Sequence, residues 1–394
     1  MIKHLFKLIW NKKKQNFLLM AEMLVSFIVM FAVFTLTVFY YQNYNRPRGF
    51  DYDDIWDFGY STPQGMNDAD SVANFRQSLK QLITSMPQVK DVSFSDANIP
   101  YGNANIGTLI NYNKVGWPTE MYTADDDYQK VLNVTLMEGR WFTKADDAAR
   151  QKPIVINETL KERVFGKESA VGKIMGDAAF GKGDMKVIGV MSDTKDKGDY
   201  AGIANGYFRR MDTSNTRGGG IILIKVKPNA DAAFESRLYK ALSNTIRNTS
   251  IDIKHMDKER VTKNSQMLGP IIVLIIIAGF LIINVALGLF GVLWYNINKR
   301  RGEIGLRRAV GASGASISKQ LVGEAMVLST ISLLVGTFFA IQFPLLNVFN
   351  LQSSTYVFAI LLSILFIYAL VLVCSFYPGK QAAAIFPAEA LHED

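Results

Sequence analysis

From Asn264 to Asn298 the chain reads N-S-Q-M-L-G-P-I-I-V-L-I-I-I-A-G-F-L-I-I-N-V-A-L-G-L-F-G-V-L-W-Y-N-I-N, with no Asp, Glu, Lys or Arg in it. A helix needs about 20 apolar residues to cross the hydrocarbon layer of a bilayer, so this stretch is one crossing with residues to spare. Two other stretches are equally free of charge, Met23 to Asn45 and Ala325 to Gly379. The last is long enough for two crossings, with Asn347, Asn350, Gln352, Ser353 and Ser354 as a polar turn between them. The pattern predicts membrane helices over 17–41, 268–298, 320–346 and 355–377. The first is read as a retained span. Its apolar stretch exceeds the ~7–15 residues of a signal peptide, and no small-x-small cleavage site follows.

Orientation follows from the basic residues of the short segments. Residues 1–16, an amphipathic segment, carry Lys3, Lys7, Lys12, Lys13 and Lys14, and no acid precedes Glu22. The 299–319 connection carries Lys299, Arg300, Arg301, Arg307, Arg308 and Lys319, whereas the turn between the third and fourth helices carries none. Both termini, including the 378–394 tail, are expected in the cytoplasm, and residues 42–267 outside it. That long segment is nearly balanced in charge, so most of the net +8 belongs to the cytoplasmic side. The basic character therefore reflects topology and is no nucleic-acid footprint. The single cysteine, Cys374, falls in the fourth helix, so an ordinary hydrophobic core must hold the outer domain.

Two parts of the outer domain share a pattern. In the first, Ile55–Phe58 is an extended segment, and Val72, Phe75, Leu79, Leu82, Ile83 and Met86 recur at helical spacing over 69–86. Pro87 ends that helix and Val89–Phe94 reads as a strand. In the second, Ile221–Val226 is a strand, Phe234, Leu238, Leu242 and Ile246 line a helix over 230–247, and a strand follows near 251–255. Two such units pack as one four-stranded sheet with both helices on one face, a split α+β lobe made of 42–95 and 217–267. Residues 96–216 then form an inserted lobe, with strands at Pro153–Asn157 and Met185–Val190, a short helix around Leu160–Phe165 joining them loosely, and glycine turns near 181–183 and 218–220. The expected fold class is a membrane protein of four transmembrane helices, with a large α+β extracytoplasmic domain between the first and second.

No catalytic constellation is present. His4, His255 and His392 lie far apart, no His/Cys/carboxylate spacing suits a metal, and neither G-x-S-x-G nor H-E-x-x-H occurs. Asp125-Asp126-Asp127 reads as an isolated acidic loop. The Gly-Lys pairs at 166–167, 172–173 and 181–182 lack the rest of a phosphate loop, so ATP hydrolysis by this chain is not expected.

The most specific segment is Lys299–Ser313, K-R-R-G-E-I-G-L-R-R-A-V-G-A-S. Taken bare, it is a short basic helix at the membrane surface: Glu303 and Arg307 pair at i,i+4, Gly311 stops the helix in a left-handed cap, and Ser313 starts the next. A plain positive-inside anchor explains those features as well. The run resembles the R-x-x-E-I-G-x-R-R-A-x-G-A-S signature in the cytoplasmic loop of MacB/FtsX-type ABC permeases. The likeness continues at Gln320–Ala325 and at Tyr377–Leu391, which is similar to the family's Y-P-A-x-x-A-A-x-x-x-P-x-x-A-L ending, with Gly379 where Ala is usual. Outside, Glu138–Thr143, Val164–Gly166, Val171–Lys173 and Val187–Val190 resemble landmarks of a MacB-type periplasmic domain.

The resemblance implies a coupling loop that docks on an ATPase, carried here by Glu303, Gly305, Arg307, Arg308 and Gly311. It implies a separate ABC ATPase subunit holding ATP and Mg, no cofactor on this chain, and a place in the bacterial inner (plasma) membrane. It also implies a second permease copy or a paralogue, and the family plan admits a periplasmic adaptor and an outer-membrane channel. The role implied is mechanotransmission, in which the outer domains handle a drug, peptide or lipoprotein. The alternatives are an FtsX-like regulatory complex that drives a cell-wall hydrolase and an ATPase-independent scaffold. In the second helix, Asn284, Gly288 and Gly291 are small or amide residues suited to a transmembrane dimer contact. Glu22, an acid inside the first span, is expected to reach the interface and meet Lys13 or Lys14.

Overall fold

The computed structural model describes residues 13–63, 66, 68–177, 184–211, 219–246 and 251–385. The first twelve residues, the glycines at 181–183 and Gly218, and the tail beyond 385 therefore lie outside the described residues. The chain divides into two compact units, Asn43–Met267 and the remainder.

Helix α1 spans Lys13–Tyr44. In the outer unit, β1 (Ile55–Tyr60) leads to α2 (Ala69–Thr84) and β2 (Val89–Ser95). At the other end of this unit, β10 (Gly220–Val226) leads to α5 (Ala232–Thr245) and β11 (Lys254–His255). Each helix starts at an aspartate cap: Asp68 accepts from the Ser71 N–H at 2.7 Å and Asp231 from the Phe234 N–H at 2.8 Å. The strands lie in the order β11-β1-β10-β2, all antiparallel. Alternation sends Trp56, Phe58 and Tyr60 of β1 to one face, where Leu79 and Ile83 of α2 and Phe234, Leu238 and Leu242 of α5 cover them. Burying each of these side chains is worth about 1.5–3 kcal/mol.

Between these units run β3 (Gly107–Tyr112), β4 (Val115–Ala124), α3 (Tyr128–Leu132), β5 (Leu136–Gly139) and β6 (Lys152–Asn157). Then come α4 (Glu158–Phe165), β7 (Ile174–Asp177), β8 (Asp184–Met191) and β9 (Gly206–Arg210). The strands join the first sheet through β2–β4, where Ser95 faces Ala124, so the inserted segment extends the sheet rather than standing apart. Order β4-β3-β7-β8-β6-β9 closes on itself, because β9 pairs in parallel back onto β4. Ile110, Met121, Ile154, Ile156, Met175, Val187 and Tyr207 pack together within this ring of strands. Helix α4 is tied in by the fully buried Leu160, not loosely attached. The Asp125–Asp127 run is not isolated either. Lys80 bridges Asp125 and Asp127, Ser93 donates to Asp125 at 2.6 Å, and Arg210 pairs with Asp126 at 2.6 Å.

In the other unit α6 (Met256–Lys299), α7 (Arg301–Ala309), α8 (Gly314–Ala340), the short α9 (Gln342–Leu345) and α10 (Ser353–Ala383) follow. Among the described residues, four helices are long and apolar enough to cross a membrane: Leu19–Tyr44, Met256–Lys299, Gly314–Leu345 and Ser353–Ala383. Their ends differ from the apolar pattern. α6 begins at Met256 rather than 268, because 256–267 is a polar helical stretch that hydropathy does not register. α10 continues through Pro378 to Ala383, past the expected end at 377. Leu19, Met23, Phe27 and Phe31 make an i,i+4 stripe on α1, which packs with Val285, Leu289 and Leu293 of α6 and with α8 and α10.

Candidate coupling site

Helix α6 ends at Lys299, and after Arg300 the chain restarts as α7. Glu303 lies in the first turn of α7 and Arg307 and Arg308 in its last, matching charge to the helix dipole at both ends. Arg307 donates through Nη2 to Glu303 Oε1 at 2.5 Å and through Nη1 to Gln320 Oε1 at 2.9 Å. Gln320 passes a hydrogen bond to Glu324 at 3.2 Å, and Arg300 reaches both Glu324 oxygens at 3.1 Å. This run of side chains laces α7 to α8 on one side. Beneath it Ile304 packs with Ile297, Ile317, Leu321 and Ala382. The side left open carries Leu306 and Val310, one turn apart and 56% and 82% exposed.

The C-terminal end of α7 is closed by hydrogen bonds. Gly311, at φ +103°, donates to the Arg308 carbonyl at 3.1 Å, and Ala312 donates to the Arg307 carbonyl at 2.9 Å. That pair is a Schellman motif, and its left-handed residue carries no Cβ penalty because it is glycine. Ser313 then caps α8 by accepting from the Ser316 N–H at 3.3 Å.

The structure thus brings Glu303, Arg307 and Gly311 into one frame. Gly305 is buried beside Ile304, and Arg308 is half-buried at the last turn. The residues expected at a dimer contact all lie on α6. Asn284 is exposed and donates back to the Phe280 carbonyl at 2.8 Å, and nothing comes within 4 Å of a Cβ placed at Gly291. Gly288 makes its close contact inside the chain: a Cβ there would lie 2.6 Å from Glu22 Oε2. Glu22 therefore sits against α6, and the Lys13 and Lys14 side chains lie outside the described residues. Sequence reasoning missed Arg300, Gln320 and Glu324, and the exposed Leu306 and Val310. Glu324 carried a usable signal, since an acid bordering a charge-free run needs a partner.

The profile of the MacB-like periplasmic core domain matches residues 23–240, more than half the chain, and that of the FtsX-like permease C-terminal matches 275–387. The chain belongs to the MacB/FtsX-type ABC transporter permeases. The permease is 25% identical over 309 residues to the macrolide export ATP-binding/permease protein MacB of Mannheimia succiniciproducens, covering 75% of this chain and 46% of the relative. It is 26% identical over 341 residues to the MacB protein of Bdellovibrio bacteriovorus, covering 82% and 50%. The permease thus spans about half the length of the curated relatives it matches. The crystal structure of the periplasmic region of MacB from Actinobacillus actinomycetemcomitans covers 56% of this chain and 97% of that one, at 17% identity and a TM-score of 0.40. The family assignment rests on the sequence matches. The FtsX-like stretch takes in the candidate coupling site entire, and among the described residues no group of His, Cys, Asp and Glu could hold a metal.

Proposed function

We propose that this chain is the permease subunit of a MacB-type ABC transporter, with both termini and α7 in the cytoplasm and residues 43–267 outside the inner membrane. An ABC ATPase subunit, holding ATP and Mg, hydrolyses the nucleotide. The permease, paired with a second copy or a paralogue, turns closure of the ATPases into movement of the outer domain. That movement extrudes a drug, peptide or lipoprotein, with a periplasmic adaptor and an outer-membrane channel as further partners.

The observation that carries the reading is the surface of α7. A helix with two exposed apolar side chains, flanked by the Glu303–Arg307 pair and fixed from behind by Ile304, fits a cleft in a partner protein. Because Arg307 also holds Gln320, a push on this face reaches α8 directly. The MacB-like outer domain supports transport over the regulatory role of an FtsX-like complex. The test is a gentle pull-down of the tagged chain with an ATPase assay on the eluate. An ABC ATPase co-purifies in equal amount. Glu303→Lys leaves membrane insertion intact and abolishes stimulation of hydrolysis. Unchanged coupling in that variant removes α7 from the mechanism, and a chain that purifies without an ATPase removes the transporter reading.

A further inference from the structure

Three segments remote in sequence meet at one carboxylate of the outer unit. Asp199 lies in the connection between β8 and β9, and its side chain is 3% exposed. Arg260, on the polar first turns of α6, donates to Asp199 Oδ2 through Nε at 2.9 Å and Nη2 at 2.5 Å. Asn264, one turn on, donates to the same oxygen at 2.8 Å and accepts from the Asp199 N–H at 2.9 Å. Arg48, just beyond α1, brings its Nε within 3.6 Å of Asp199 Oδ1. Both guanidinium groups also lie over the Tyr52 ring, each 4.6 Å from its centre, and Arg260 donates to the Tyr52 hydroxyl at 3.0 Å.

The backbone is interlocked at the same place. Lys195 donates its N–H to the Arg48 carbonyl at 3.0 Å and its Nζ to the Tyr44 carbonyl at 2.9 Å. Tyr44 and Tyr200 stack at 5.5 Å, and Asn43 donates to the Tyr200 carbonyl at 3.3 Å. Gly49 admits the approach: a Cβ there would lie 1.9 Å from the Asp193 carbonyl oxygen. The segment leaving α1, the start of α6 and the β8–β9 connection are therefore one fastened piece. The strands on either side of that connection belong to the closed ring of the inserted lobe.

We propose that Asp199, with Arg48, Tyr52, Arg260 and Asn264, is the joint through which displacement of α1 and α6 is delivered to the β8–β9 connection and the ring of strands. The joint rests on the mechanotransmission reading above, and it names the residues at which that movement enters the outer domain. Coupling needs a stiff contact between the elements it links, and a buried carboxylate that takes three hydrogen bonds on Oδ2 and the Arg48 charge beside Oδ1 supplies one.

The full-length permease is reconstituted in nanodiscs with Cys374→Ser, and spin labels are placed at Val261→Cys on α6 and Glu162→Cys on α4. The wild-type joint gives a narrow distance distribution, and Asp199→Asn, which keeps the side-chain shape, broadens it about two-fold. Lys225→Ala, which removes the exposed pair with Asp51 in the same unit, leaves the width unchanged. An Asp199→Asn width equal to wild type overturns the joint. A second label pair, Leu345→Cys with Glu162→Cys, is measured in the complex with its ATPase, with and without ATP and vanadate. A nucleotide-dependent shift that is present in wild type and lost in Asp199→Asn supports the proposal. The same shift in both overturns the joint alone. No shift in wild type overturns the mechanotransmission reading itself.

Discussion

Asp199 and Glu303 are both carboxylates bound to arginine at 2.5 Å, one in the outer unit and one on α7, yet their side chains are 3% and 50% exposed. The Glu303–Arg307 pair stands in water, where Coulomb attraction is weak and salt screens it further, so it contributes roughly 0.3–0.5 kcal/mol to folding. Asp199 is held in a dry site. Burial alone would raise its pKa, but hydrogen bonds from Arg260 and Asn264 outweigh that and hold the carboxyl below its ordinary range. Losing one member of such a pair strands the others without solvent and costs about 3–5 kcal/mol. The difference separates two uses of one chemistry. The outer pair fastens three segments of one unit, and the exposed pair shapes the surface of α7.

The sharpest way to break this contrast is Asp199→Ala, which should destabilise the outer unit by about 3–5 kcal/mol in denaturant melts of the full chain. The loss should shrink as the pH falls through the depressed pKa of Asp199, because protonation has by then removed the same charge from wild type. A third carboxylate refines the comparison. Asp57 is buried in β1, and its Oδ1 has no hydrogen-bond partner among the described residues. Burial, then Glu259, lift its pKa to about 7, with Lys254 opposing and Asp252 adding to the rise. A raised folded pKa means that stability present at acid pH is lost as the pH climbs from the unfolded value near 4 to about 7. Asp57→Asn should therefore stabilise the outer unit by about 4 kcal/mol at pH 8 and by almost nothing at pH 4, read as the pH dependence of the melting midpoint.

Smaller effects belong to α7. Gly311→Ala forces a Cβ into the left-handed region and should cost about 1 kcal/mol, seen as faster amide exchange at positions 311 and 312. Glu303→Gln should change the melting midpoint least of all, by less than about 0.5 kcal/mol, while ATPase stimulation falls sharply. If stability and stimulation instead fell together, the distinction between fastening and recognition would fail.

What could be read in the sequence was whatever is local along the chain. Charge-free runs locate four apolar helices, and i,i+4 spacing picks out Leu79, Ile83, Leu238 and Leu242 as core. Gly311 and Ser313 are legible as caps because their partners lie within four residues. The start of α6 escaped because a polar helix carries no apolar signal. Asp125–Asp127 looked isolated because Lys80 and Arg210 are distant in sequence. The same reason hid the Arg300–Glu324 pair and the whole Asp199 joint, whose members come from 48, 52, 199, 260 and 264. Closure of the strand ring was likewise invisible, since it depends on β9 returning to β4.

Helix α7 has nine residues, well short of the roughly 12–15 at which an isolated helix becomes even marginal in water. It stands because Ile304 is anchored and both of its junctions are hydrogen-bonded. Fixing the backbone of one residue costs about 1–2 kcal/mol of conformational entropy. That cost is met here during folding of the chain, so a partner arriving at Leu306 and Val310 finds a finished shape and has no disordered loop to organise. The consequence is kinetic as well as energetic: such a partner can engage and leave without a folding step at the contact.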